Sequence, residues 1–201
     1  MPLEIRAVPL ESAGVRLEPL AEVHREALRP AAQAPEIWTH MPTAAFAEAF
    51  DHWFDWSLGV CETGAEAAWV VRTLDDGALV GSTRYLNIEA AQRRVEIGHT
   101  WYNPSVWAGL VNPACKFMLL RYGFETLGLN RIELKTDIRN TRSQAAIAKL
   151  GAVREGVFRA HMIRADGSLR DTVYFSVIAT EWPAVRDGLT SRLAAYSRET
   201  V

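Results

Sequence analysis

Hydrophobic and polar positions alternate most cleanly between Arg94 and Tyr102. Val95, Ile97, His99 and Trp101 fall on one side of the pattern, and Glu96, Gly98, Thr100 and Tyr102 on the other. That period of two predicts a strand over Arg94–Tyr102. The period then changes. Phe117, Leu120, Phe124 and Leu127 recur at helical spacing and predict a helix over Asn112–Leu127. Asn112 is its expected N-cap, Pro113 its first helical residue and Gly128 its stop. A short loop containing Gly109 joins the two elements.

The remaining pattern reads in the same way. Gly14–Pro19 is a first strand, and Ala21–Leu28 is a helix ended near Arg29-Pro30. A second helix opens at Pro42 and Thr43 and runs through Trp56. Ala67–Leu74 and Ala78–Leu86 are strands joined by the turn Asp75-Asp76-Gly77. Arg131–Thr136 is a short strand, after which Asn140 caps a helix with Ser143 at its third position and Gly151 at its end. Ala152–Ile163 and Asp171–Ile178 form a hairpin around Ala165-Asp166-Gly167. Thr180 caps a last helix that turns Trp182, Val185, Leu189 and Leu193 inward. Strands and helices mixed in this order predict an α/β (α+β mixed) sheet with helices on both faces. The strand–helix–strand from Arg94 to Thr136 predicts a parallel pair joined by a right-handed crossover.

Composition narrows the function classes. The 201 residues suit a single domain over 1–201, with its core from about Gly14 to Leu189. A net charge of −2 supplies no basic field for nucleic acid or an anionic membrane surface. Cys61 and Cys115 do not make a disulfide framework, and Cys115 among apolar neighbours is expected to be a free buried thiol. No apolar run reaches membrane-spanning length and no secretory pattern opens the chain, so the expectation is a cytoplasmic protein.

Several residues are candidates for chemistry. A glycine-containing loop that feeds a helix N-terminus offers free N–H groups and a positive dipole end. It is either a phosphate site or an ordinary connection. The aromatic run His52-Trp53-Phe54-Asp55-Trp56, with Trp38 and Phe46, either walls a binding site or packs a core, the latter being favoured. Asp51, Asp55 and Glu48 either attract a cationic amine or form a solvated face. His99, among apolar residues, reads as a core histidine. No metal-ligand spacing, serine-hydrolase elbow or P-loop is present.

The order of elements resembles the GNAT superfamily of N-acetyltransferases, and most closely its RimJ/RimL-type group. The resemblance rests on Glu96-Ile97-Gly98-His99-Thr100-Trp101, on Val111-Asn112-Pro113 with Lys116, and on Asn130-Arg131-Ile132-Glu133-Leu134-Lys135-Thr136. It continues through Asn140-Thr141-Arg142-Ser143, Leu150-Gly151-Ala152, Glu155-Gly156, Asp166-Gly167 and Glu181-Trp182-Pro183. It implies a mixed, mostly antiparallel sheet and an acetyl-CoA cosubstrate without a metal. The acceptor is a primary amine, a protein N-terminus or a small molecule. Transfer is direct, within a ternary complex. A homodimer is a usual state for such folds.

The resemblance also implies residue roles. The loop Trp107-Ala108-Gly109-Leu110-Val111-Asn112 stands where the family presents main-chain N–H groups to the pyrophosphate. Trp107 replaces a basic or amide residue there, and Leu110 a small one. Asn140 matches a residue that holds the pantetheine arm, in competition with its role as a cap. A main-chain N–H of the Arg94–Tyr102 strand would polarise the thioester carbonyl. Glu96 is the candidate general base, since a carboxylate in a cleft can accept a proton directly or through water. Its structural alternative is an ion pair with Arg94 or Arg131. Ser143 matches a serine placed near the departing thiolate, or bonds local backbone. The family's tyrosine acid falls on Ile147, and a second glutamate base falls on Met162, beside His161. Cys115 lacks a base partner and is no nucleophile. The alternative to an enzyme is a non-catalytic acyl-CoA-binding or interaction module whose loop is degenerate at Leu110.

Overall fold

A computed structural model describes residues 3–41, 43, 45–164 and 166–199. Its centre is an eight-stranded sheet in the order β1-β2-β3-β4-β5-β6-β8-β7. The strands are β1 Leu10–Ser12, β2 Val15–Pro19, β3 Ala67–Thr73, β4 Leu79–Glu89, β5 Arg94–Tyr102, β6 Arg131–Asp137, β7 Val153–Ile163 and β8 Leu169–Ile178. All neighbours are antiparallel except β5 and β6, the parallel pair expected from the strand–helix–strand pattern.

Helices cover both faces. The helices are α1 Arg25–Leu28, α2 Ala49–Glu62, α3 Val111–Arg121, α4 Thr141–Ala148 and α5 Trp182–Glu199. The main core joins α3 and α5 to one face, through residues such as Met118, Leu119, Ile97, Ile132, Val173 and Leu189. A second core lies between α2 and the other face, where Phe50, Trp53 and Phe54 meet Val70, Leu79 and Trp101. β3 is sandwiched between the two cores, so Ala67–Val71 is buried on both sides rather than alternating.

Three expectations need correction. The chain begins its sheet with an edge strand, β1, which the sequence pattern did not reveal; Gly14, at φ +73°, turns it into β2. The 21–28 segment is a 3-10 turn followed by one turn of α-helix, because Pro30 removes a backbone donor at once. The second helix starts at Ala49, not at Thr43; Ala47 has a φ of +52°, through which no helix can run. Pro42 and Ala165 lie outside the described residues.

Candidate active site

β5 and β6 run side by side only at their starts. Their ladder pairs Arg94 with Arg131, Val95 with Ile132 and Glu96 with Glu133, and ends there. β6 continues along β8 to Asp137. β5 is diverted by a bulge: against β4, Arg84 faces Gly98 but Ser82 faces Trp101, so one extra residue is taken up at His99, whose φ is +45°. The strands part, and a seam opens between them.

The loop before α3 stands at one end of this seam. Ala108, at φ +61°, makes the tight turn of this loop, one residue before Gly109. The cap of α3 is Leu110, not Asn112; Asn112 is the second helical residue and Pro113 the third. Pro113 costs nothing there, since the first helical hydrogen bond is made by Ala114, to Leu110 O at 2.9 Å. Among the described residues, the amides of Ala108, Gly109, Leu110, Val111 and Asn112 donate to no acceptor. The Leu110 side chain packs against the main core. Trp107 has another task. Its amide is held by Pro104 O and its indole N–H by Tyr102 O, while the Arg142 guanidinium lies 3.7 Å over its ring. That contact ties the start of α4 to the loop.

Asn140 caps α4 as expected, with its Oδ1 accepting from Ser143 N at 2.9 Å. Its Nδ2 has no acceptor among the described residues, so the cap occupies only the carbonyl side of the amide. The Ser143 hydroxyl is half-buried and makes no hydrogen bond among the described residues. Ile147 is buried in the main core.

Glu96 is only 2% exposed. Its partners are Asn87 Nδ2 at 2.7 Å and Lys135 Nζ at 2.9 Å, both on Oε2. The expected pairing with Arg94 or Arg131 is not found, for a reason of register. Glu133 stands beside Glu96 in the ladder and takes both arginines, which leaves Lys135, two residues further along β6, for Glu96. Oε1 accepts no hydrogen bond among the described residues and lies over Gly98, where an added Cβ would sit 2.8 Å from it. Gly98 thus makes room for the free carboxylate oxygen.

The helices leave one part of the second face open. On β8, Val173, Phe175 and Val177 enter the main core, while Arg170, Thr172, Tyr174 and Ser176 face the other way. Glu96, Lys135 and Asp137 share this polar face. A hollow of 540 Å³ lies at its far end, where Arg131 bridges Glu133 and Glu155. A smaller cavity of 170 Å³ lies at the Asp137 end, walled by Trp38, Met41 and Met162. Arg170 lines it and is 7% exposed, with Nε buried, 4.0 Å from Asp137 and without a hydrogen bond among the described residues. Burial lowers its pKa below the ordinary arginine value, with Asp137 acting in the opposite sense.

His99 packs against Trp56 with the rings tilted at 31°, and leaves Nδ1 buried without a hydrogen-bond partner among the described residues. Burial, then the charges of Arg84, Lys135 and Arg170, push its pKa down to about 4, so the ring is neutral at physiological pH. Trp38, Trp53 and Phe54 are core residues, whereas Phe46 and Trp56 are partly exposed. Asp51 and Asp55 are paired with Arg25 and Arg29 rather than lining the site. His161 is an exposed strand residue packed on Phe158 and Tyr174.

Lys135, Asn87 and Arg170 were missed as site residues. For Arg170 a signal existed. Polar residues alternate with apolar ones along 172–177, and Arg170 continues the polar side, the mark of a strand with one polar face. Nothing in the sequence points to Asn87.

Comparison with known proteins bears on this geometry. Residues 15–153 match the family model described as "Acetyltransferase (GNAT) domain". "Putative ribosomal N-acetyltransferase YdaF" of Bacillus subtilis (strain 168) is 32% identical over 109 residues, 54% of this chain and 58% of YdaF. The chain therefore spans less than two thirds of that relative's length. The crystal structure of a GCN5-related N-acetyltransferase from Brucella melitensis superposes with a TM-score of 0.87 at 27% identity, over 94% of this chain and 87% of that one. Mycobacterium smegmatis RimJ, solved in complex with CoA-disulfide, superposes at 0.76 over 92% and 93%; at 24% identity it speaks to the fold alone. The GNAT resemblance read from the sequence agrees with the family match and with YdaF. On the family match and the architecture around the β5–β6 seam, the chain belongs to the GNAT acetyltransferase family.

Proposed function

We propose that this protein transfers the acetyl group of acetyl-CoA to a primary amine, directly and within a ternary complex. The observation that carries this reading is the run of unpartnered amides from Ala108 to Asn112 beside the open seam between β5 and β6. Consecutive N–H donors at the positive end of α3 suit a pyrophosphate. Leu110 leaves them clear because its side chain is spent on the core. The pantetheine arm would enter the seam past the Asn140 Nδ2, so that the thioester meets the polar face that carries Glu96.

Each chain group then has a role. Glu96 Oε1 accepts a proton from the acceptor ammonium, through water, while Lys135 and Asn87 hold Oε2 and so fix the carboxylate. The freed amine attacks the thioester carbon. A main-chain N–H of β5 along the seam stabilises the oxyanion. The carbon–sulfur bond breaks, the new amide nitrogen and Glu96 each release a proton to solvent, and the thiolate takes a proton from the Ser143 hydroxyl, which is restored from solvent.

Glu96→Gln is expected to lower kcat/KM by about 10²-fold or more while acetyl-CoA affinity stays within about twofold. Steady-state rates across pH with a panel of amines and N-terminal peptides, beside calorimetric titration of acetyl-CoA, provide the check. An unchanged rate profile removes Glu96 as the base. Binding without turnover of any amine favours the acyl-CoA-binding module. Absence of binding at high concentration removes the transferase altogether.

A further inference from the structure

The geometry points to Arg170 as the anchor for a carboxylate on the acceptor, so that the substrate is a small amine carrying its own carboxylate, as a free amino acid does. This rests on the transferase reading of the site and adds the acceptor's chemical class. Buried arginines are ordinarily matched by a carboxylate or by several hydrogen bonds. Arg170 makes no hydrogen bond among the described residues, and its ion pair is a long one, Nε to Asp137 at 4.0 Å. Asp137 is already held by Arg164 at 2.7 and 3.0 Å and by the Arg139 amide at 2.8 Å. The residue paired with Arg170 across the hairpin is Met162, which carries no charge.

The surroundings fit one kind of ligand. The cavity of 170 Å³ has room for a small molecule only, and Trp38, Met41 and Met162 offer it apolar walls. A planar carboxylate matches the guanidinium fork in two parallel hydrogen bonds. Arg170 and Glu96 stand on the same polar face of the sheet. An α-amino acid carries its amine and carboxylate two bonds apart, so a molecule held at Arg170 by its carboxylate keeps its amine on that face. The larger hollow lacks this feature, since Arg131 there is matched by Glu133 and Glu155.

The test uses matched pairs: alanine, leucine and phenylalanine against their carboxamides, which keep the same α-amine and side chain. CoA-saturated protein is titrated with each by calorimetry, and acetylation is followed with acetyl-CoA. The carboxylate member is expected to bind at least about tenfold more tightly and to show at least about tenfold higher kcat/KM. Arg170→Gln is expected to erase the difference without changing CoA affinity. Met162→Glu, which sets a carboxylate opposite Arg170, is expected to erase it with the arginine still in place. Equal binding of acid and amide by the unaltered protein overturns the proposal. So does a preference that survives either substitution, or equal use of an amidated peptide N-terminus. Binding is read without turnover, so a failure of all acetylation would sink the transferase reading while the titrations still decide on Arg170.

Discussion

Lys116 carries a positive charge almost out of water. It is 5% exposed, and its Nζ donates to Thr100 Oγ1 at 2.7 Å. No carboxylate lies within salt-bridge distance among the described residues, and burial pushes its pKa down from 10.5 to about 8. Between those two values the unfolded chain holds the proton and the folded chain does not, so stability rises with pH across that window. Below it the full cost of burying the charge is present. Lys116→Met is therefore expected to stabilise the fold by about 1–3 kcal/mol at pH 7, less above pH 10, as read by urea unfolding at both. Residue chemistry of this sort was only half legible. The motif placed Lys116 on the helix, but its burial depends on Thr100 of a strand that the chain reaches from elsewhere. Glu96 is a similar case: alternation put it on a strand face, while Asn87 and Lys135 reached it through two different ladders.

At the scale of elements, the cap of α4 uses only half of its side-chain amide. Asn140 Oδ1 holds the cap and Nδ2 stays available. Asn140→Asp keeps the acceptor and loses the donor, so stability is expected to change by less than about 0.5 kcal/mol while acetyl-CoA affinity falls about tenfold. Asn140→Ala loses both, and stability is expected to drop by about 0.5–2 kcal/mol as well. Thermal unfolding beside calorimetric titration separates the two effects. The caps and turns with local causes were readable: Asn140, Gly151 at φ +91° and Gly77 at φ +71° all stand where the pattern put them. The start of α3 was not. Its cap is fixed by how Trp107 docks on Tyr102 and Arg142, contacts from distant segments.

At the scale of the molecule, the seam is bordered by the start of α3 on one side and the start of α4 on the other, bridged by Arg142 over Trp107. A ligand that fills the seam in place of strand pairing stabilises only the folded chain. Acetyl-CoA at a hundred times its Kd is therefore expected to add about 2.7 kcal/mol, which raises Tm by about 5–10 °C for a chain of this size. A Tm that does not move with acetyl-CoA concentration would contradict binding in the seam.

The sequence by itself determined the strands and helices with strong periodicity, the parallel β5–β6 crossover, the turns and the α4 cap, because each follows from neighbours within a few residues along the chain. It also carried the family, through motifs whose order survives without any knowledge of contacts. Tertiary structure alone decided the rest. The β5 bulge at His99 opened the seam, the register of β6 gave Lys135 rather than an arginine to Glu96, and the polar face of β8 left the Arg170 Nε without a hydrogen bond among the described residues. The reason is the same each time: a charge or a free amide becomes a site by what fails to pack against it, and that is settled by segments far apart in the chain.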